Sequence, residues 1–380
     1  MSDAKLHATL LKSLEKIDVR VIRPEPVRRT PTRILSLDTV FHGGLPEGRI
    51  VEMFGEANFG KSTTALLIAR QYMNQGLRVA LLDSEKTFDV EYAERFGMDV
   101  HALDENGVPL LDVFQATTAE QWLDTIRELL NSRLYQLIIV DTLAGFVPRV
   151  EYESSIDKGT MGVFPRLMAR FMRVTGPLMG NGQATVLLLN QVRLDIGNAN
   201  PYTGAPITTP GGMAVKHAPS IRIQLMKPQD KRVGDKIVGV VFRYKIVKSK
   251  LFTPDVKAVH ELHIVIDEEN QVHEVDTSYE LLQAGKNLGL IVGKDGRPWE
   301  SRVAFFEGVN LGNGEKQILE FLDEPSDIRS RLEQRIYDTI EKGQSLGQVN
   351  SDPGDPEPVP EPETGDGDDG GTLWGPGATE

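Results

Sequence analysis

Residues 55–62, Gly-Glu-Ala-Asn-Phe-Gly-Lys-Ser, lie between Ile50-Val51-Glu52-Met53-Phe54 and Thr63-Thr64-Ala65-Leu66-Leu67-Ile68-Ala69-Arg70. The octet fits the phosphate-loop pattern G-x-x-x-x-G-K-[ST]. The run before it reads as a buried strand and the run after it as a helix. In that setting backbone N–H groups and a helix N-terminus converge on phosphates. Gly55, Glu56, Ala57, Asn58, Phe59, Gly60, Lys61, Ser62 and Thr63 are therefore the predicted nucleotide loop. Lys61 is expected to reach the β and γ phosphates, and the Ser62 hydroxyl to ligate magnesium. The bland alternative, a glycine-rich turn that happens to hold a lysine, leaves both flanks unexplained.

The rest of the chain has to supply the frame. At 380 residues it can enclose one large core and a smaller domain. It contains no cysteine, which excludes disulfides and thiolate metal sites and suits a reducing compartment. Lys5, Lys12, Glu15, Lys16 and Asp18 exclude a secretory apolar region at the start. No apolar run approaches the ~20 residues that span a bilayer. A cytoplasmic, soluble protein with no membrane partner is the expectation. The net charge of −13 is unevenly placed. Residues 343–380 hold nine acidic and no basic side chains, leaving 46 acidic against 42 basic in the first 342. Such a Pro, Gly, Asp and Glu tail is predicted to be disordered, and it either competes with DNA phosphates for basic surface or only solubilises the chain.

Four short apolar runs, 50–54, 79–82, 137–140 and 185–189, are separated by helical stretches such as 119–130. Strands alternating with helices predict an α/β fold with a mostly parallel central sheet covered on both faces. Two β-rich runs, 237–248 and 257–266, extend the sheet. Before this core, Leu6, Leu10, Leu11, Leu14 and Ile17 share one helical face, and Asp18–Arg23 alternates like a short strand. Pro24, Pro26 and Pro31 then break regular structure, so this helix–strand arm is expected to dock elsewhere, on its own core or on a neighbouring subunit. The predicted division is an arm and linker (1–35), an ATPase core (36–269), a small C-terminal α/β domain (270–342) and the acidic tail (343–380).

Each strand after the phosphate loop ends in a polar residue where the sheet's carboxyl edge should lie. Asp83-Ser84-Glu85 closes the second, Asp141-Thr142 the third and Asn190-Gln191 the fourth. Asp141 is placed to hold magnesium, Glu85 to act as general base towards the attacking water, and Gln191 to sense the γ-phosphate. Gln191 also opens a loop of some twenty residues, 192–212, long enough to expect a function of its own. Lys248 and Lys250, two apart on a predicted strand, project to one face and suit an anion, although a solvated strand edge accounts for them as well.

Taken in order, Gly55–Ser62, Leu82-Asp83-Ser84-Glu85, Ile139-Val140-Asp141-Thr142, Leu189-Asn190-Gln191-Val192-Arg193, Gly211-Gly212 and Lys248-Ser249-Lys250 closely resemble the bacterial RecA family of recombinases, over roughly residues 1–342. The resemblance implies a RecA-type core, with ATP and Mg2+ as cofactors, in which Glu85 is catalytic and Asp89 and Tyr92 contact adenine. It implies that Lys248 and Lys250 reach the γ-phosphate held by the adjacent protomer of a helical homo-oligomer. It places DNA-binding loops at 154–162 and 192–212, and DNA contacts at Met161, Gly162, Arg166, Arg173, Arg193, Gly211, Gly212 and Met213. It implies single-stranded DNA and a homologous duplex as partners, a polymerisation arm at the N-terminus, and duplex contacts from Lys286, Lys294, Arg297, Arg302 and Lys316. Glu56, Asp195, Met213 and His217 depart from the family's usual residues. A hexameric motor on the same core, or an ATP-switched scaffold, are the competing expectations. A motor usually places an arginine where this chain offers two lysines.

Overall fold

The computed structural model describes residues 3–17, 19, 26–155, 162–181, 184–194, 207–267, 272–300 and 302–342. Most of the predicted strand at 18–23, Met161 and most of the first loop, Asp195 and the interior of the second, and the acidic tail lie outside the described residues.

Nine strands form the central sheet: β1 (Ile50–Gly55), β2 (Val79–Asp83), β3 (Leu111–Phe114), β4 (Leu137–Asp141), β5 (Thr185–Gln191), β6 (Ile221–Val233), β7 (Lys236–Ser249), β8 (His260–Asp267) and β9 (Val272–Val275). Their order is β9-β8-β7-β6-β1-β5-β4-β2-β3. The six strands from β6 to β3 pair in parallel, and β7, β8 and β9 extend them antiparallel. The sheet is thus mixed but mostly parallel, as the alternating pattern predicted. The apolar runs become β1, β2, β4 and β5, all buried except for the last residues of β4 and β5. Buried side chains line both faces, as parallel strands require. Val51, Met53, Leu81 and Ile139 pack with the helix Lys61–Asn74. Ile50, Leu82, Val140 and Leu188 pack with the helices Ala119–Ser132 and Val163–Asn181. The first of those two helices begins at a capping box, Thr118 with Gln121, which satisfies amides the first turn leaves open.

A separate cluster, including Leu281, Ile291, Trp299, Phe306, Ile318, Leu332 and Ile336, is enclosed by the helices Thr277–Asn287, Glu315–Asp323 and Asp327–Glu341 and the hairpin Val303–Phe306/Val309–Asn313. The N-terminal helix, Asp3–Glu15, buries nothing: Leu6 and Leu10 are each 54% exposed.

Where the C-terminal cluster meets the core, the Glu280 carboxyl group accepts the Ser36 amide at 2.5 Å. Burial pushes Glu280 up to about 8, opposed by the Ser36 hydrogen bonds and reinforced by Asp38, itself pushed by burial to about 6. A carboxyl whose pKa is raised on folding is held protonated in the native state. Its stability contribution is complete at low pH and is lost as pH rises from the unfolded value towards about 8. Glu280→Gln, which cannot ionise, should therefore gain stability on the wild type between about pH 5 and pH 8, with a limiting slope of about 1.4 kcal/mol per pH unit. Thermal melts across that range check the sign, and a wild type that gains on the variant would contradict it.

Candidate nucleotide and DNA site

The register of the sheet brings the polar strand ends to one edge. Asp83 lies opposite Asp141, and Gly55, where the phosphate loop begins, lies opposite Gln191. The loop turns into its helix at Gly60, in the left-handed region with φ 83°. A Cβ there would meet the Phe242 ring at 2.2 Å, so both backbone and space demand glycine.

Lys61 is buried at the head of that helix. Its Nζ donates to Gly55 O at 3.0 Å and to Glu56 O at 2.7 Å, which aims the ammonium back across the loop. Burial pushes its pKa down, and the nearby carboxylates of Asp141 and Glu85 pull it back up. Asp141 is in turn pushed up by burial and by Glu85 and Asp83, and held down by a hydrogen bond from Ser62 and by Lys61. The pairing of Ser62 with Asp141 offers a hydroxyl and a carboxylate oxygen together, a hard donor set that fits magnesium. In such sites one or two protein groups share the ion with substrate phosphates.

Glu85 is exposed at the edge, and its Oε1 accepts a hydrogen bond from Gln191 Nε2 at 2.9 Å. The predicted base and the predicted sensor, 106 residues apart in sequence, are thus in contact. Ser84 fastens β2 to β4 beside them, donating to Thr142 O at 2.7 Å and accepting from Thr142 N at 2.9 Å.

A cleft runs from Ser62 and Asp141 past Leu66 and Ile139 to Phe88, Asp89 and Tyr92. Asp89 caps the helix Val90–Arg95 by accepting the Tyr92 amide at 2.9 Å. The Tyr92 hydroxyl meets Thr63 Oγ1 at 2.7 Å. Ser62 and Asp141 thus share one cleft with Phe88, Asp89 and Tyr92. Sequence reasoning did not single out Phe88, and gave no role of its own to the strand-end residue Asp83, whose carboxylate accepts Thr87 N at 3.0 Å and Phe88 N at 3.1 Å and so shapes the wall.

Lys248 and Lys250 lie elsewhere. β7 ends at Ser249, so Lys250 is just past the strand on which it was predicted. Lys248 Nζ donates to Lys216 O and His217 O, both at 2.8 Å, and Lys250 Nζ to Ala218 O at 3.0 Å. These carbonyls close the helix Gly212–His217, where a cation is favoured. Burial, Lys250 and Arg222 push the Lys248 pKa down against Glu52.

Of the predicted DNA contacts, Arg166 and Arg173 are exposed on the helix Val163–Asn181, and Arg193 is exposed next to Gln191. Arg170, also exposed, stands between them at spacings of four and three, completing a basic stripe that the helical period could have revealed. Gly162 precedes this helix with φ 80°. Gly211 and Gly212 both have positive φ, and a Cβ on Gly211 would meet Val215 at 2.3 Å. Met213 is 61% exposed just beyond them. No helix among the described residues is long and apolar enough to cross a membrane.

A family model describing the RecA N-terminal domain matches residues 18–269. The chain is 32% identical over 330 residues to Protein RecA of Thermotoga neapolitana, covering 87% of this chain and 88% of that one. It is 31% identical over 337 residues to Protein RecA of Saccharopolyspora erythraea, covering 88% and 89%. It is 31% identical over 350 residues to Protein RecA of Salinispora arenicola, covering 91% and 94%.

Proposed function

The chain belongs to the RecA family, and we propose that it is a cytoplasmic, DNA-dependent ATPase that forms a helical filament on single-stranded DNA and catalyses homologous pairing and strand exchange. The observation that carries this reading is the hydrogen bond between Glu85 and Gln191. It joins the carboxylate placed for hydrolysis to the strand end from which the second DNA loop departs. A nucleotide-dependent change at one is then felt by the other.

In this reading Lys61 and the loop amides bind the triphosphate, and the groove ending at Asp89 and Tyr92 takes the adenine. Glu85 orients a water molecule and accepts its proton as the water attacks the γ-phosphate. Ser62 and Asp141 would hold magnesium, which would supply charge neutralisation at the phosphates. Lys248 and Lys250 serve the nucleotide of the adjacent protomer, so ATP acts as a joint between subunits. The exposed apolar face of the helix Asp3–Glu15 supports docking of the arm on a second copy. Arg166, Arg173 and Arg193 with the double glycine take DNA through its backbone, independent of sequence as a homology search needs. Residues 1–35, 36–269, 270–342 and 343–380 serve as arm, ATPase core, duplex-contacting domain and tail.

ATP hydrolysis with and without single-stranded DNA, imaged by negative stain, tests the reading. Strong stimulation with helical filaments is expected. Closed rings would favour a hexameric motor, and DNA-indifferent hydrolysis without filaments would leave a switched scaffold.

A further inference from the structure

One charged residue lies in the middle of a fully buried strand. Glu52, on β1 between Val51 and Met53, has no exposed surface. A buried carboxylate persists only with partners, and its partners form a row across the sheet. Arg222 is its register neighbour on β6 and Lys248 is the register neighbour of Arg222 on β7. Arg222 Nε donates to Glu52 Oε2 at 2.5 Å. On the opposite side Asn190 Nδ2, from β5, donates to Glu52 Oε1 at 3.0 Å.

The row also reaches out of the sheet to a single short element. Asn190 Nδ2 donates to Pro210 O at 3.2 Å, and the Arg222 guanidinium to Thr209 Oγ1 at 3.4 Å. The same guanidinium lies over the Phe54 ring, 4.6 Å from its centroid, which fixes its plane. Thr209 and Pro210 lead into Gly211, Gly212 and the helix Gly212–His217, whose far end is held by Lys248 and Lys250. The helix that presents Met213 is therefore held at its start by Asn190 and Arg222, and at its end by the lysines. Asn190 immediately precedes Gln191.

We propose that Glu52 and Arg222 are positioning residues that hold the Gly212–His217 helix in register with Gln191 on one side and Lys248 on the other. The two nucleotide-facing groups of one protomer, one for its own ATP and one for its neighbour's, then act on the same DNA-facing element. The inference rests on the recombinase reading above and assigns its coupling to a buried ion pair that touches neither nucleotide nor DNA.

Glu52→Gln alone leaves Arg222 without a counter-charge in a largely buried place, which can unfold a protein on its own account. The informative variant is the pair Glu52→Gln/Arg222→Gln, which removes both charges together, with Arg222→Lys as companion. Circular dichroism and melting establish the fold, and hydrolysis is measured across ATP concentrations with and without single-stranded DNA. The double variant is expected to keep DNA-independent hydrolysis and its KM within about twofold. It should lose stimulation by DNA by a factor within the range of about 5–150 typical of coupling between sites. Arg222→Lys, which keeps the charge but cannot reach both Glu52 and Thr209, should fall between. A merely structural pair would lower basal and stimulated rates in the same proportion, and that result overturns the inference. So does full stimulation in the double variant, or in Arg222→Lys should the double variant fail to fold. Wild-type hydrolysis indifferent to DNA would instead overturn the recombinase reading itself, before any variant is compared.

Discussion

Lys61→Ala is expected to abolish DNA-stimulated ATP hydrolysis, lowering kcat by about 10²–10³-fold or more, the cost of removing one preorganised group that stabilises transition-state charge. The ammonium is already fixed by two carbonyls of its own loop, at 3.0 and 2.7 Å, so it is aimed at the phosphates before they arrive. Burial lowers its pKa while Asp141 and Glu85 raise it, so the group is a desolvated cation, and the low local dielectric strengthens its own pull on an incoming anion. Alanine removes that cation. The lost carbonyl bonds, made by a charged donor, cost about 1.5–3 kcal/mol each, but the variant no longer buries a charge and alanine suits the first turn of a helix, so the fold should stand. Melting temperature, binding of a fluorescent ATP analogue and hydrolysis, measured together, separate these effects. Hydrolysis within twofold of wild type would remove Lys61 from the site. Lys61→Arg keeps the charge, but its longer planar head does not fit the same two carbonyls, and only a small fraction of the rate should return.

The strand, turn and helix around residues 55–62 were legible because their signals are local. Eight consecutive residues and their flanks specify the strand, the glycine turn and the helix, and nothing distant has to be known. The four apolar runs were legible for the same reason, since buried parallel strands carry continuous hydrophobic sequence. β3, β6 and the four-residue edge strand β9 were not read. β3 is four residues long at the sheet edge, with Asp112 inside it and Val113 exposed. β6 carries the alternation Ile221, Ile223, Leu225 on its buried side, but Pro228 and a charged second half mask it. Partners remote in sequence were harder still. Lys248 and Lys250 looked like a pair facing outward, whereas the carbonyls they engage belong to a helix some thirty residues earlier. Yet Glu52 carried a usable signal. A carboxylate inside the run Ile50–Phe54 has to be compensated, and an arginine in a flanking strand is the fitting partner.

Glu85→Gln separates assembly from hydrolysis, and its expected effect is a fall in kcat of about 10²–10⁴-fold, the usual contribution of a positioned general base. The geometry makes the substitution specific. Glu85 Oε1 accepts from Gln191 Nε2 at 2.9 Å, and a glutamine side-chain oxygen accepts the same bond from the same place. What glutamine lacks is the ability to take a proton from water. The contact between Glu85 and Gln191, which the proposed function assigns to coupling, is therefore kept while the proposed chemistry is removed. ATP should still bind with a KM near that of wild type, since Lys61 and the phosphate loop are untouched. Filaments on single-stranded DNA should form with ATP and then persist, because the step that loosens the joint between protomers no longer runs. Electron microscopy over time, with phosphate release from the same sample, reads both consequences. Undiminished phosphate release would rule out Glu85 as the base. Loss of hydrolysis together with loss of filaments would mean that the carboxylate is needed to build the subunit joint, and the separation of roles between Glu85 and the lysine pair would have to be abandoned.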